Sequence, residues 1–207
     1  MKIALFDVDG TILNSMGAWD NLGRRFLRDR GIDTGRSINN DLFPLTSLQS
    51  ATYLKNHYHL TESIQEIMAA FYNDLHDYYV NDVQLKDGII DVLESFKKQG
   101  YHLYIATSLT RELVTQSFQR LKIDHYFDGI YTCDGLGILK NDPAFYKIIS
   151  NKLNENPQNI IVFEDNLEAV HHAKKLGMKV VGIYDKHSRE KLEDQVDTYI
   201  TNWEELL

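Results

Sequence analysis

The sequence predicts an α/β fold: a doubly wound, Rossmann-like parallel sheet core interrupted by a small all-helical domain. Three observations predict it. Short apolar, β-branched-rich runs recur at Ile3–Phe6 (IALF), 101–107 (YHLYIAT), 160–163 (IIVF) and 179–184 (KVVGIY). Such unbroken runs belong to strands buried on both faces, whereas half-exposed strands alternate. Between the later runs lie segments with apolar residues at helical spacing, RELVTQSFQRL and NLEAVHHAKKLG, the second closing on Gly177 as a C′ glycine. Strand and helix alternating in this way build a doubly wound sheet. The interval 14–83 breaks the alternation, showing only helical patterns.

In chain order, the first strand is Ile3–Phe6 and the helical interval follows it directly. Met16, Trp19, Leu22 and Phe26 share one helical face. Ile64, Ile67, Met68, Phe71, Leu75 and Tyr78 share another, opened by Thr61 as its expected N-cap, with Tyr78 and Tyr79 in the core of the insert. About 70 residues suffice for a small domain, so the chain is divided into a core of 1–13 and 84–207 and an insert of 14–83. The junctions near Asn14 and Asp82 are expected to act as hinges. The remaining apolar runs complete the sheet.

Composition narrows the function. With 207 residues, 43% apolar and 25% charged, the chain is ordinary for a globular protein and long enough for a core plus a small second domain. A formal charge of −8 argues against a nucleic-acid partner, which needs a Lys/Arg excess to neutralise phosphates. The single cysteine, Cys133, excludes an internal disulfide and is expected as a buried free thiol. No run approaches the roughly 18 apolar residues of a membrane span, and the apolar start is too short for a signal peptide. The expectation is a cytoplasmic protein with no membrane partner, acting as a monomer or weak homodimer.

The polar residues after the apolar runs carry the chemistry. Open parallel sheets bind ligands beyond the carboxyl ends of their strands, where the strand order reverses. Asp7, Asp9, Gly10 and Thr11 follow the first run, Thr107 and Ser108 the second, and Glu164 and Asp165 the third. Four carboxylates, two hydroxyls and nearby backbone N–H groups would meet on one rim, with Lys140, ahead of a helix expected to start at Pro143, as the cation. Asp7 and Asp9 side by side repel unless a positive partner or a shared proton relieves them. Clustered carboxylates suit Mg²⁺, a hard cation bound through carboxylates, waters and a phosphate oxygen. The combination points to phosphoryl transfer. Asp7 would serve as nucleophile and Asp9 as general acid and base. Gly10, Thr107, Ser108 and Lys140 would hold the phosphoryl oxygens, and Lys140 would offset charge in the transition state. The metal set comprises Asp7, Asp9, Glu164 and Asp165. The implied partner is a small phosphorylated metabolite.

In this order, D-x-D-G-T, T-S, a Lys before a helix and E-D resemble the four motifs of the haloacid dehalogenase superfamily, in its helical-cap branch. The resemblance spans essentially the whole chain. It implies that Asp7 is the nucleophile, Asp9 the acid/base, Thr107 and Lys140 the phosphoryl-binding pair, and Asp165 a metal ligand beside Asp7 and the Asp9 carbonyl, supported by Glu164. It also implies that the insert is a cap closing over the substrate. The chain departs from the family's usual pattern in placing Asn141 and Asp142 between Lys140 and Pro143, and in having Asn166 after the acidic pair and Asn14 after the first motif.

Other readings of these residues are weaker. Framed as a calcium loop, D-x-D-G would put Leu5 and Met16 at positions 1 and 12, and neither can ligate. His171 and His172 fall inside a helical pattern and read as surface or packing residues. Within the family resemblance, Asp9 disfavours a dehalogenase, whose halide leaving group needs no proton. β-Phosphoglucomutase-like members have a histidine where this chain has Trp19. The expectation is therefore a Mg²⁺-dependent phosphatase of a small phosphorylated metabolite, similar to phosphoglycolate phosphatases, with the mutase and an idle phospho-ligand binder as the alternatives. Substrate selection is expected from Trp19 and the loop 41–47, with Leu42 and Thr46 facing the substrate.

Overall fold

The computed structural model describes residues 1–35, 38–42, 47–187 and 191–207. The chain divides into two compact units, Met16–Asp82 and the remainder, Met1–Ser15 with Val83–Leu207.

The larger unit is built on one six-stranded sheet. It contains β1 (Ile3–Phe6), then, after the helical unit, α5 (Ile89–Lys98), β2 (His102–Thr107), α6 (Arg111–Leu121), β3 (Gly129–Thr132), α7 (Cys133–Leu136), α8 (Phe145–Lys152), β4 (Ile160–Glu164), α9 (Leu167–Lys175), β5 (Lys179–Ile183) and β6 (Thr198–Ile200). All neighbouring strands pair parallel, in the order β3-β2-β1-β4-β5-β6. The chain winds outward from β1 through β2 and β3, then returns to lay β4 on the opposite side of β1. The order therefore reverses between β1 and β4, whose Phe6 and Phe163 are partners in register. Every residue of β1 is fully buried, as the apolar run requires.

The four expected strands form, with ends shifted by a residue at most. The structure adds β3 and β6, both at sheet edges. Neither carries an apolar run: GIYT is mostly half-buried and TYI is three residues long. Edge strands bury less and are short, so periodicity is a poor guide to them. Gly177 takes a φ of +83° just after α9, the left-handed conformation expected of a residue closing a helix. Helix α8 begins at Phe145, two residues later than Pro143. Cys133 is half-buried rather than buried, because it opens α7 at the rim instead of packing under a helix.

The smaller unit holds α1 (Met16–Arg28), α2 (Asn39–Leu42), α3 (Ser47–His57), α4 (Ile64–Asp77) and a π-helical turn, Tyr78–Asp82. Helix α1 buries Leu22 and Phe26, and α4 buries Ile67, Phe71 and Leu75. The rings of Phe26 and Phe71 meet edge to face at 5.1 Å, beside an Arg25–Asp74 ion pair at 2.7 Å. The N-cap of α4 is Ser63, not Thr61. Ser63 Oγ accepts from the Glu66 amide at 3.2 Å and Glu66 returns a bond to the Ser63 amide at 2.7 Å, a reciprocal box that Thr61, two residues upstream, is out of register to make. Tyr79 is buried, while Tyr78 is half-buried.

Candidate active site

The turn after β1 brings its acids to the rim. Gly10 has a φ of +73°, a left-handed conformation that a side chain would strain, and the amides of Ile12 and Leu13 both donate to the Val8 carbonyl, at 3.0 and 2.8 Å. The Gly10 amide donates to the Leu13 carbonyl at 3.1 Å. That donor is spent inside the turn, so Gly10 contributes its backbone freedom. Beyond the turn the two chain crossings run side by side, with Asn14 N–H donating to Gln84 O at 2.9 Å and Lys86 N–H to Ile12 O at 2.8 Å.

Asp7 leaves β1 at the point where the strand order reverses, its amide donating to the Phe163 carbonyl of β4 at 3.0 Å. One strand over, β4 ends in Glu164 and is followed by Asp165. Asp7, Glu164 and Asp165 are all buried, each offering an oxygen within 4.8 Å of the others. The Asp9 carboxylate is not in this set. It is half-buried and accepts from Ser15 Oγ at 2.7 Å. The two neighbouring acids thus enter different environments.

Lys140 lies between the acids. Its ammonium donates to Asp7 Oδ1 and sits 2.8 Å from Glu164 Oε2. Burial would lower its pKa, but the charges of Asp7 and Glu164 outweigh that and hold it well above its ordinary value, so it stays charged. Burial pushes Glu164 up to about 7, against the pull of Lys140. Asp165 is raised well above the usual carboxylate range by burial first and then by Asp7 and Glu164. Three buried acids against one lysine are more than the local positive charge can balance, so the cluster retains protons that a bound cation would displace.

The loop carrying Lys140 is tied down on its C-terminal side. The Ala144 amide donates to Asp142 Oδ1 at 2.8 Å, and His172 Nε2 lies 3.0 Å from the Asn141 carbonyl. His172, expected as a surface or packing residue, is half-buried and meets this loop through that contact. Thr107 is buried at the end of β2, its Oγ1 accepting from the Leu109 amide at 3.1 Å, and Ser108 beside it is exposed. Cys133 Sγ lies 3.7 Å from Ser108 Oγ.

In the smaller unit Trp19 is 40% exposed and its indole N–H donates to Tyr79 Oη at 2.8 Å. Leu42 is half-buried, and Thr46 lies outside the described residues.

Three contributors escape a reading of the sequence. Ser15 lies six residues beyond Asp9 with only its nearness as a signal. Tyr146, buried on α8, donates to Glu164 Oε2 at 3.0 Å. Lys86 pairs with buried Asp185 at 2.9 Å and with the Tyr184 carbonyl at 2.8 Å, its charge easing Asp165 toward ionisation. For the last two, no spacing rule connects residues that meet only across the sheet.

The model of haloacid dehalogenase-like hydrolases matches residues 4–183. The chain belongs to this family. Among its relatives, a protein named phosphorylated carbohydrates phosphatase, from Thermotoga maritima, is 22% identical over 86% of this chain and 83% of its own. Validoxylamine A 7′-phosphate phosphatase from Streptomyces hygroscopicus subsp. limoneus is 28% identical over 93% and 90%. Among solved structures, one described as a putative β-phosphoglucomutase from Thermotoga maritima superposes with a TM-score of 0.85 at 21% identity, over 99% of this chain and 96% of that one. At that identity the likeness establishes the shared fold. The six-stranded parallel sheet is the fold of haloacid dehalogenase-like hydrolases. Among the described residues no helix is long and apolar enough to cross a membrane.

Proposed function

We propose that the protein is a Mg²⁺-dependent phosphatase that hydrolyses a small phosphorylated metabolite through an aspartyl-phosphate intermediate on Asp7. The observation that carries this reading is the buried meeting of Asp7, Glu164 and Asp165 with Lys140 at the strand reversal, next to an Asp9 held apart by Ser15. The phosphatase names of the relatives support it.

In this mechanism Lys140, with Thr107 and Ser108, binds the phosphoryl oxygens of the substrate. An Asp7 carboxylate oxygen attacks phosphorus and the bond to the leaving alcohol breaks as Asp9 gives that oxygen its proton. Asp9 then takes a proton from water, which attacks the same phosphorus. The bond to Asp7 breaks, and inorganic phosphate leaves. Lys140, charged and already beside Asp7, faces the charge that spreads over the phosphoryl oxygens.

The donor set fits Mg²⁺. It consists of hard carboxylate oxygens, with Asp7 and Asp165 as holders and Glu164 in support. Bound there, the ion would neutralise charge on the substrate's phosphate. Because Glu164 and Asp165 hold protons more tightly than ordinary carboxylates, binding a cation displaces protons. Affinity for Mg²⁺ should therefore strengthen as the pH rises through about 7, and weaken below it. Calorimetric titration in two buffers of different ionisation enthalpy would reveal the proton release, and a pH-independent affinity would contradict the assignment.

The helical unit takes the role of a cap that selects the substrate, with Trp19, steadied by Tyr79, the first residue to test. Trp19→Ala should change relative kcat/KM across a substrate panel while leaving Mg²⁺ binding intact; unchanged ratios would remove Trp19 from specificity. We place the protein in the cytoplasm on its cysteine usage.

The deciding experiment is phosphate release from a panel of phosphorylated metabolites with and without Mg²⁺. Release from a few members that depends on the ion supports the reading. No release from any, with β-glucose 1-phosphate giving glucose 6-phosphate, would replace hydrolysis by the mutase reaction.

A further inference from the structure

Lys140 is the one ammonium contacting Asp7 among the described residues, and it pairs with Glu164 as well. Glu164 accepts three donors: Lys140 and Tyr146 Oη on Oε2, the latter at 3.0 Å, and the Asn166 amide on Oε1 at 3.2 Å. Tyr146 is itself fully buried. Helix α8 turns Phe145, Tyr146 and Ile149 onto the sheet, where they pack with Leu5 and Val162. A phenol there has no solvent to hydrogen-bond with, and Glu164 is the partner the structure gives it. Burial and the neighbouring Glu164 charge hold Tyr146 well above its ordinary pKa, so it remains a donor.

We propose that Tyr146 is a positioning residue. Its hydroxyl fixes the Glu164 carboxylate, and Glu164 in turn sets the Lys140 ammonium against Asp7. The inference rests on the phosphatase reading for its catalytic consequence, but not for its geometry. A carboxylate that loses one of three fixed donors gains freedom to rotate, and the ammonium it holds moves with it. Lys140 acts on charge that develops during the reaction, so misplacing it lowers kcat more than it raises KM. Deleting the outer hydrogen-bonding partner of a metal-site ligand typically costs ~10–100-fold.

The test is Tyr146→Phe, which keeps the ring and removes only the hydroxyl. With p-nitrophenyl phosphate and Mg²⁺, kcat should fall by about 10–100-fold with KM within about twofold. In protein labelled with ¹⁵N-lysine, the Lys140 ammonium should exchange its protons with water measurably faster than in the wild type. Adding Tyr146→Phe to Glu164→Gln should cost less than about twofold beyond Glu164→Gln alone, since the effect runs through Glu164. An unchanged kcat, an unchanged Lys140 signal, or a full additive loss in the double variant would overturn the proposal. A lower Tm with kcat unchanged per folded molecule would mark Tyr146 as a core residue only, and would also overturn it. A wild-type protein that releases no phosphate, but whose Lys140 signal responds to Tyr146→Phe, would refute the phosphatase reading and leave the positioning role standing.

Discussion

Asp7→Asn should abolish turnover, lowering kcat at least about a thousandfold on every substrate the wild-type protein hydrolyses. Asparagine keeps the shape of the side chain and the hydrogen bond from the backbone N–H to the Phe163 carbonyl, so the end of β1 stays where it is. What it loses is the anionic oxygen that attacks phosphorus. Lys140 retains Glu164 at 2.8 Å, so no buried charge is left unpaired. The variant should therefore fold with a Tm no lower than wild type, which separates lost chemistry from lost structure. The intermediate gives a second readout. Rapid acid quench with ³²P-labelled substrate should leave label on the wild-type protein, released by hydroxylamine as an acyl phosphate is, and none on the variant. Persistent hydrolysis in Asp7→Asn would refute a mechanism through this aspartate.

The residues in that experiment are those the sequence displays most openly, for a physical reason. A strand buried on both faces must be apolar along its whole length, so Asp7 after IALF and Glu164 after IIVF interrupt the pattern where the strand reaches the rim. The strand order then makes those interruptions neighbours. Lys140 is harder to read, since it lies on a loop and reaches Asp7 across 133 residues of sequence. Its place in an ordered set of motifs identifies it, not its surroundings. Tyr146 has no such mark. On α8 it occupies an inward position that any large apolar side chain could fill, and only the Glu164 oxygen opposite it gives the hydroxyl a purpose. The same holds for β3 and β6, whose pairing is dictated by strands already in place more than by their own residues. Thr61 and Ser63 show the limit at the scale of a single turn. Both are hydroxyl residues ahead of α4, and the choice between them rests on Glu66 standing three residues after Ser63.

Trp203→Ala should be the most destabilising single substitution in the larger unit, for reasons that connect the chain's end to its first motif. Trp203 is fully buried and its ring lies 5.3 Å from Phe163 and 6.0 Å from Phe6, which are themselves stacked at 4.4 Å. Each of those phenylalanines directly precedes a carboxylate of the site, Asp7 or Glu164. The indole N–H donates to the Thr11 carbonyl at 3.1 Å, reaching the turn that carries Asp9. Truncation to alanine leaves a large cavity under both strand ends and an unpaired buried carbonyl, together costing about 3–5 kcal/mol. For a chain of this size that corresponds to a fall in Tm of about 6–20 °C. Trp203→Phe separates the two contributions. It restores most of the packing and not the hydrogen bond, so its cost should be about 1–2 kcal/mol. If the indole bond also steadies the turn, Trp203→Phe should lower kcat severalfold at a temperature where it is fully folded, and Trp203→Ala should lower it further. Equal activity in all three proteins, measured well below each Tm, would confine Trp203 to stability. A loss of less than about 3 °C in Trp203→Ala would show that the sheet closes without the C-terminal segment.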